Sequence, residues 1–202
     1  MTYPKFGSIP RWYKTFTISE KVDGTNGLIA VVSDDDKYDE IRREGIEPIG
    51  FNNEGLAIFA GSRNRWLSAD DKAKDNAGFA RWVQEHASEV ALLGEGFHYG
   101  EWYGSGINRA YGLSTKRFAL FNTFRWTVSR PEIFDVVPIL WEGSGDDLQE
   151  GIDSAIQNLV TSGSVIAPGF RNPEGIVIYS QEARSYWKKT LQNDRIPKDM
   201  VK

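Results

Sequence analysis

The chain of 202 residues contains no cysteine, which excludes disulfides, thiolate-held zinc and thiol nucleophiles together. Its two histidines, His86 and His98, are too few for a metal centre built from imidazole. No apolar run reaches membrane-spanning length, and the start, MTYPKFGSIPRW, lacks the apolar core of a signal peptide. A cytoplasmic protein with no membrane partner is the expectation. Excess positive charge is missing too. The formal charge is −4 and the isoelectric point about 5.3, which argues against coating nucleic acid by bulk electrostatics. A local basic groove remains compatible, because GSRNRWL and the tail YWKKTLQNDRIPKDMVK are both locally basic.

What is present suits a packed globular unit. Hydrophobic residues make up 40% and aromatics 13%, ample for a core. No internal repeat and no Pro/Gly/Ser linker divides the chain, so a single domain over residues 1–202 is expected. Apolar residues recur at helical spacing over 75–93 (Phe79, Trp82, Val83, Ala87, Val90) and 145–163 (Leu148, Ile152, Ala155, Ile156, Leu159). Gly163 is placed to close the second helix. Short strands are predicted at 15–21, 27–33, 56–60, 99–103, 117–124, 136–141, 175–179 and 186–191. Strands outnumber helices without alternating with them, so the fold class is α+β with largely antiparallel sheets and flanking helices. The acidic stretch SDDDKYDEIRREGIEP reads as an exposed excursion between strands.

One segment asks for more than packing: ISEKVDGTNGLIAVV, residues 18–32. Asp23-Gly24 and Asn26-Gly27 suit a hairpin turn. Lys21, at the lip of an apolar strand, needs another reason. Other strands carry charge in the same manner: Arg63 after LAIFAGS, Glu101 inside HYGEWYG, Glu174 before GIVIY, and Lys188-Lys189 inside SYWKKTL. Any one of them is ordinarily just solvated. As a set they offer cations for a triphosphate, carboxylates for Mg²⁺ or sugar hydroxyls and aromatics to stack on a base.

The order of these segments resembles that of the covalent nucleotidyltransferases: DNA ligases, RNA ligases and mRNA capping enzymes. Lys21-Val22-Asp23-Gly24 is similar to their KxDG nucleophile motif, HYGEWYG to the third motif, RFALFNTF to the aromatic motif beside it, PEGIVIY to the fourth and YWKKTL to the fifth. Five motifs in family order cover nearly the whole chain. EKVDGTN, GSRNRWL and GEWYGSGINRAYGL look most like RNA ligases of the phage and RNA-editing type and small stand-alone RNA ligase-like proteins.

The resemblance implies the ligase adenylation-domain fold, with no separate C-terminal OB-type domain, and an ATP-dependent polynucleotide ligase that favours RNA. Lys21 would attack the α-phosphate of ATP and carry AMP. The AMP would pass to a 5′-phosphate, and a 3′-hydroxyl would then displace it. A free lysine titrates near ~10.4, so desolvation, neighbouring cations and metal are expected to favour its neutral amine. Lys188 would neutralise the α-phosphate, and Glu174 would hold Mg²⁺, with Mn²⁺ as a substitute. Glu20 would sit at the adenine, largely through backbone groups. Asp23, Gly24, Thr25 and Asn26 would border the nucleotide, with Gly24 allowing close backbone approach. Arg63 would contact ribose or phosphate, and Glu101 the ribose hydroxyls. Phe121 would stack on adenine, with Phe118 as an alternative on the opposite strand face. His98, Trp102 and Tyr103 read as packing or rim residues, and His86 as a partly exposed helix residue.

The fifth motif departs from the family's lysine-x-lysine. With Lys188, Lys189 and Thr190 in sequence, a regular strand turns only one lysine to the nucleotide. Either Thr190 stands in for the second lysine, or a bulge brings Lys189 round, so Lys189 stays among the expected nucleotide contacts. A monomer acting on nucleic acid with 5′-phosphate and 3′-hydroxyl ends is expected. The alternatives are a DNA-nick ligase, a GTP-using capping enzyme, an enzyme passing AMP to another acceptor, and a non-catalytic module binding nucleotides or RNA ends.

Overall fold

The computed structural model describes residues 14–32, 39–41, 43–51, 55–126 and 129–192. The end of the basic tail, from 193, and part of the acidic excursion, 33–38, lie outside these residues. Among the described residues the strands form two sheets. The first has the order β10 (Ser185–Thr190), β9 (Gly175–Ser180), β1 (Thr15–Lys21), β8 (Ile139–Ser144), all antiparallel. The second has the order β3 (Gly50–Phe51), β4 (Ala57–Gly61), β2 (Thr25–Val32), β5 (Gly96–Gly104), β6 (Lys116–Leu120), β7 (Phe134–Val136). Only its β6–β7 pair is parallel. The α+β class with largely antiparallel sheets is what the sequence pattern predicts.

Each sheet buries one face under helix. Helix α3 (Leu148–Ser162) sets Ala155 and Leu159 against Phe16 and Ile18 of β1 and Ile176 and Ile178 of β9. Their i, i+4 spacing makes one apolar stripe. Helices α1 (Phe79–Glu85) and α2 (Ala87–Ala91) set Phe79, Val83 and Val90 against Ile29, Ile58, Trp102 and Phe118. Each of these large apolar side chains contributes about 1.5–3 kcal/mol by burial. The opposite faces of the two sheets line a cleft. No described helix is long and apolar enough to cross a membrane.

Several boundaries differ from the sequence reading, and two of them build the cleft. Strands β1 and β2 do not pair; they belong to different sheets. Val22, Asp23 and Gly24 are therefore a crossover rather than a hairpin turn, and Lys21 stands where the chain leaves one sheet for the other. The chain crosses back at Val137 and Pro138. There the single strand predicted over 136–141 divides into β7 and β8. Pro138 has no N–H for a ladder, and its carbonyl instead accepts from the Glu20 N–H at 2.9 Å.

The helix predicted over 75–93 starts later and breaks once. Asn76, Ala77 and Gly78 have φ of 50°, 59° and 89°, a left-handed turn held by Lys116 Nζ and Trp102 Nε1, which both donate to the Ala77 carbonyl. His86 then separates α1 from α2, with Nδ1 2.8 Å from the Trp82 carbonyl. The strand predicted over 117–124 ends at Leu120, after which Phe121 still donates its N–H to Tyr99.

Candidate active site

Side-chain alternation along β1 sends Phe16, Ile18 and Glu20 toward α3 and Thr17, Ser19 and Lys21 into the cleft. Along β5 it sends His98 and Trp102 toward α1 and Phe97, Tyr99 and Glu101 into the cleft. Asn26 lies opposite Glu101 in the β2–β5 ladder and shares its face. These faces enclose a cavity of about 740 Å³ lined by, among others, Lys21, Asn26, Arg63, Glu101, Phe121 and Tyr179. A second, polar cavity of about 460 Å³ adjoins it, lined by Asp23, Gly24, Thr25, Arg63, Arg65 and Asn76. Lys21, Asn26, Arg63 and Glu101 line both. Lys21 therefore stands between an aromatic chamber and a polar, arginine-bearing one.

Lys21 Nζ lies 2.7 Å from Glu174 Oε2, with the two side chains 19% and 3% exposed. Gly175 sits directly opposite Lys21 in the β1–β9 ladder, which brings the residue before it, Glu174, to the lysine. Glu101 Oε1 accepts the Gly24 N–H at 3.0 Å. Burial pushes the Glu101 carboxyl up to about 7, against the attraction of Lys21 and the Gly24 hydrogen bond, with Glu174 and Asp23 adding repulsion.

The model of the RNA ligase family matches residues 14–198 of this chain. The chain belongs to the RNA ligase family. Its fold is similar to solved structures of Naegleria gruberi RNA ligase. A mutant of that enzyme with ATP and Mn is 17% identical over 88% of this chain and 50% of that one, with a TM-score of 0.56. The same enzyme with PPi gives 16%, 88%, 49% and 0.53, and a mutant with AMP and Mn gives 17%, 87%, 49% and 0.54. At these identities the likeness is one of fold, and the chain spans about half the length of those proteins. None of the curated proteins matches it.

Within this RNA ligase family member, the sequence-predicted residues gather with some exceptions. Lys21, Glu101, Glu174, Arg63, Thr25 and Asn26 converge on the cleft. Phe121 stands in the larger cavity at 38% exposure, whereas Phe118 is fully buried against Phe79, so the strand face separates the two. His98, Trp102 and Tyr103 are buried, as packing residues should be.

Glu20, expected at the adenine largely through its backbone, has its side chain engaged elsewhere. Its side chain points to the helix side, where Ser164 Oγ, Val165 N–H and Ile166 N–H donate to the carboxylate at 2.6, 2.8 and 3.0 Å. Its own N–H goes to Pro138. The carboxylate thus pins the segment after α3, although Glu20 still contributes to the cavity wall. Asp23 lines the polar cavity, and its carboxylate accepts from Asn108 and Arg109. Gly24 lines the polar cavity, and packing also requires a glycine there: a Cβ would overlap the Trp102 carbonyl of β5.

Lys189 is placed away from the cleft. The β9–β10 register runs without a bulge, pairing Lys188 with Val177 and Lys189 with Ile176. Val177 lines the larger cavity and Ile176 lies in the core under α3. Lys188 therefore shares the cleft face, Lys189 the opposite one, and Thr190 occupies the position of the second lysine.

Among the described residues, no three Asp, Glu or His side chains cluster to hold a resident metal. Mg²⁺ commonly takes one or two carboxylates and fills its shell with phosphates and water. Glu174, beside Lys21, and Glu101, close enough to repel it, are the carboxylates at hand.

Sequence reasoning missed the aromatic wall of Phe97, Tyr99 and Phe124, which are 46%, 52% and 50% exposed. Alternation from Glu101 could have found the first two. It also missed the loop after β5, whose residues Asn108, Arg109 and Tyr111 grip Asp23.

Proposed function

We propose that the protein is an ATP-dependent polynucleotide ligase, acting by preference on RNA, that works through a lysyl-AMP intermediate on Lys21. The observation that carries this is Lys21 itself: a lysine paired with a buried carboxylate, between an aromatic chamber and an arginine-bearing one, in a member of the RNA ligase family. The aromatic side suits a nucleobase on Phe121, and Glu101 suits the ribose hydroxyls. The polar side, with Arg63 and Arg65, suits phosphates. The ATP, AMP and PPi of the Naegleria structures are the substrate and products such a cycle would have.

In the first step the Lys21 amine attacks the α-phosphorus, a P–N bond forms, and the P–O bond to pyrophosphate breaks. The amine must first give up a proton to solvent, and a divalent cation on Glu174 would favour this by taking the carboxylate from the ammonium. A divalent cation on Glu174 would supply neutralisation of the leaving pyrophosphate. Lys188, on the cleft face of β10, would reach in to the α-phosphate. In the second step a 5′-phosphate oxygen attacks the same phosphorus and the P–N bond breaks, returning Lys21. In the third, a 3′-hydroxyl attacks the activated 5′-phosphate, a phosphodiester forms and AMP leaves. We place this work in the cytoplasm, in a monomeric protein.

Joining of a 5′-phosphorylated RNA to an RNA 3′-hydroxyl, with ATP and Mg²⁺, tests the reading against Lys21→Ala. Joined product from the wild type alone supports it. Equal joining of DNA would move the substrate, dependence on GTP would move the enzyme toward capping, and no product with any strand or nucleotide would defeat it.

A further inference from the structure

The loop after β5 turns through an unusual run of left-handed backbone. Gly104, Gly106, Asn108, Ala110, Tyr111 and Gly112 have φ of 105°, 73°, 43°, 54°, 52° and 67°. Two of these residues, Ala110 and Tyr111, have side chains that disfavour this region. Such strain persists where the surroundings over-determine it, and it gathers near functional sites.

What holds this turn is a set of contacts to the segments that carry Lys21 and Glu174. The Tyr111 hydroxyl accepts the Asp23 N–H at 2.7 Å. Asn108 Nδ2 donates to Asp23 Oδ1 at 3.0 Å and to the Gly24 carbonyl at 2.6 Å. Arg109 Nε donates to Asp23 Oδ2 at 3.0 Å, and its Nη1 to the Asn172 carbonyl at 2.9 Å. Asp23 stands two residues after Lys21, and Asn172 two residues before Glu174. One guanidinium thus ties together the two segments whose side chains meet at 2.7 Å.

The tie falls where the sheet gives little help. The β9 ladder begins at Gly175, after Glu174, and Pro173 before it has no N–H to offer. The Glu174 carbonyl is held on one side by the Leu191 N–H at 2.9 Å. Arg109 supplies the hold on the other side. Its side chain is 21% exposed and borders neither cavity, so its fork is directed at protein.

We propose that Arg109 is a positioning residue: it fixes the approach of Lys21 to Glu174, and the strained turn aims it. The kinetic part of this inference rests on the lysine chemistry proposed above. A planar fork can serve the Asp23 carboxylate and the Asn172 carbonyl together; a single ammonium on a flexible stem is not preorganised for both.

The test uses Arg109→Ala and Arg109→Lys with two readouts. The first is the rate of Lys21 adenylylation against ATP concentration. Misplacement of a reacting group by ~1 Å can cost about 100-fold, so kcat should fall roughly 10- to 100-fold in both variants while the KM for ATP stays within about threefold. The second needs no turnover: acylation of Lys21 by a small amine reagent without nucleotide, quantified by peptide mass spectrometry. Its extent should rise several-fold over wild type, with the other lysines unchanged. An unchanged kcat with unchanged protection of Lys21 overturns the proposal. A raised KM at constant kcat also overturns it, because Arg109 would then be a nucleotide contact. If wild-type protein takes no label from ATP, the ligase reading fails while the acylation comparison still decides whether the clasp exists. Should Arg109→Ala not fold, Arg109→Lys carries the comparison.

Discussion

Lys21 Nζ and Glu174 Oε2 meet at 2.7 Å, although 152 residues of chain separate the two and only the carboxylate is fully buried. The pair has a thermodynamic consequence that needs no nucleotide. Lys21→Ala leaves a carboxylate with 3% exposure short of its cation, and an under-compensated buried polar group costs about 1–3 kcal/mol. Lys21→Ala should therefore destabilise the fold by that order in urea unfolding. Adding Glu174→Gln should recover part of the loss, with a coupling energy of at least ~0.5 kcal/mol. Strict additivity of the two substitutions would show that the pair is not coupled.

Glu101 supplies the pH dependence. Burial holds its carboxyl up at about 7, against an ordinary 4.5, so between these values the folded protein binds a proton that the unfolded chain has released. Its contribution to stability is fully present below pH 4.5 and is lost as pH rises through about 7. Glu101→Gln removes this component, so its stability should decline less than wild type's across that window. Parallel unfolding curves of the two proteins against pH would contradict the assignment.

The two neighbouring lysines of β10 should separate cleanly. Lys188 shares the cleft face with Val177 and Lys189 the opposite face with Ile176. Removal of a group that stabilises transition-state charge typically costs about 100- to 1,000-fold. Lys188→Ala should slow adenylylation toward that range, and Lys189→Ala should stay within a few-fold of wild type. The reverse order would mean that the register of β10 shifts when nucleotide binds.

Phe121 and Phe118 make the corresponding aromatic comparison. Loss of base stacking costs about 1–3 kcal/mol, so Phe121→Ala should raise the KM for ATP by roughly 5- to 100-fold with little change in unfolding. Phe118, fully buried among Phe79, Trp82 and Phe134, should instead cost about 3–5 kcal/mol of stability as alanine. Equal effects of both substitutions on KM would place adenine elsewhere.

Much of this site is legible in the sequence because the chemistry fixes residue type at strand ends. Lys21, Glu101 and Glu174 stand out as charges that packing does not require, and alternation alone assigns Phe121 and Phe118 to opposite faces. Alternation also states the choice at Lys188 and Lys189, which the unbroken ladder then decides. What it does not reveal is which strands share a sheet. Asp23-Gly24 has the composition of a hairpin turn, yet it serves a crossover, because β2 finds its partners in β4 and β5 rather than in β1. Glu20 and Asp23 illustrate the same limit. Their carboxylates are engaged by Ser164 and by Arg109, partners far away in sequence, and no local pattern marks such contacts.

The most direct measurement is the site of covalent labelling. Wild-type protein is incubated with ATP and Mg²⁺, digested and mapped by peptide mass spectrometry, beside Lys21→Ala and with GTP in parallel. The account predicts one adenylyl group, acid-labile, on Lys21, formed from ATP and absent from the variant. Label on another residue, or none on folded protein that carried no AMP at the outset, would contradict it.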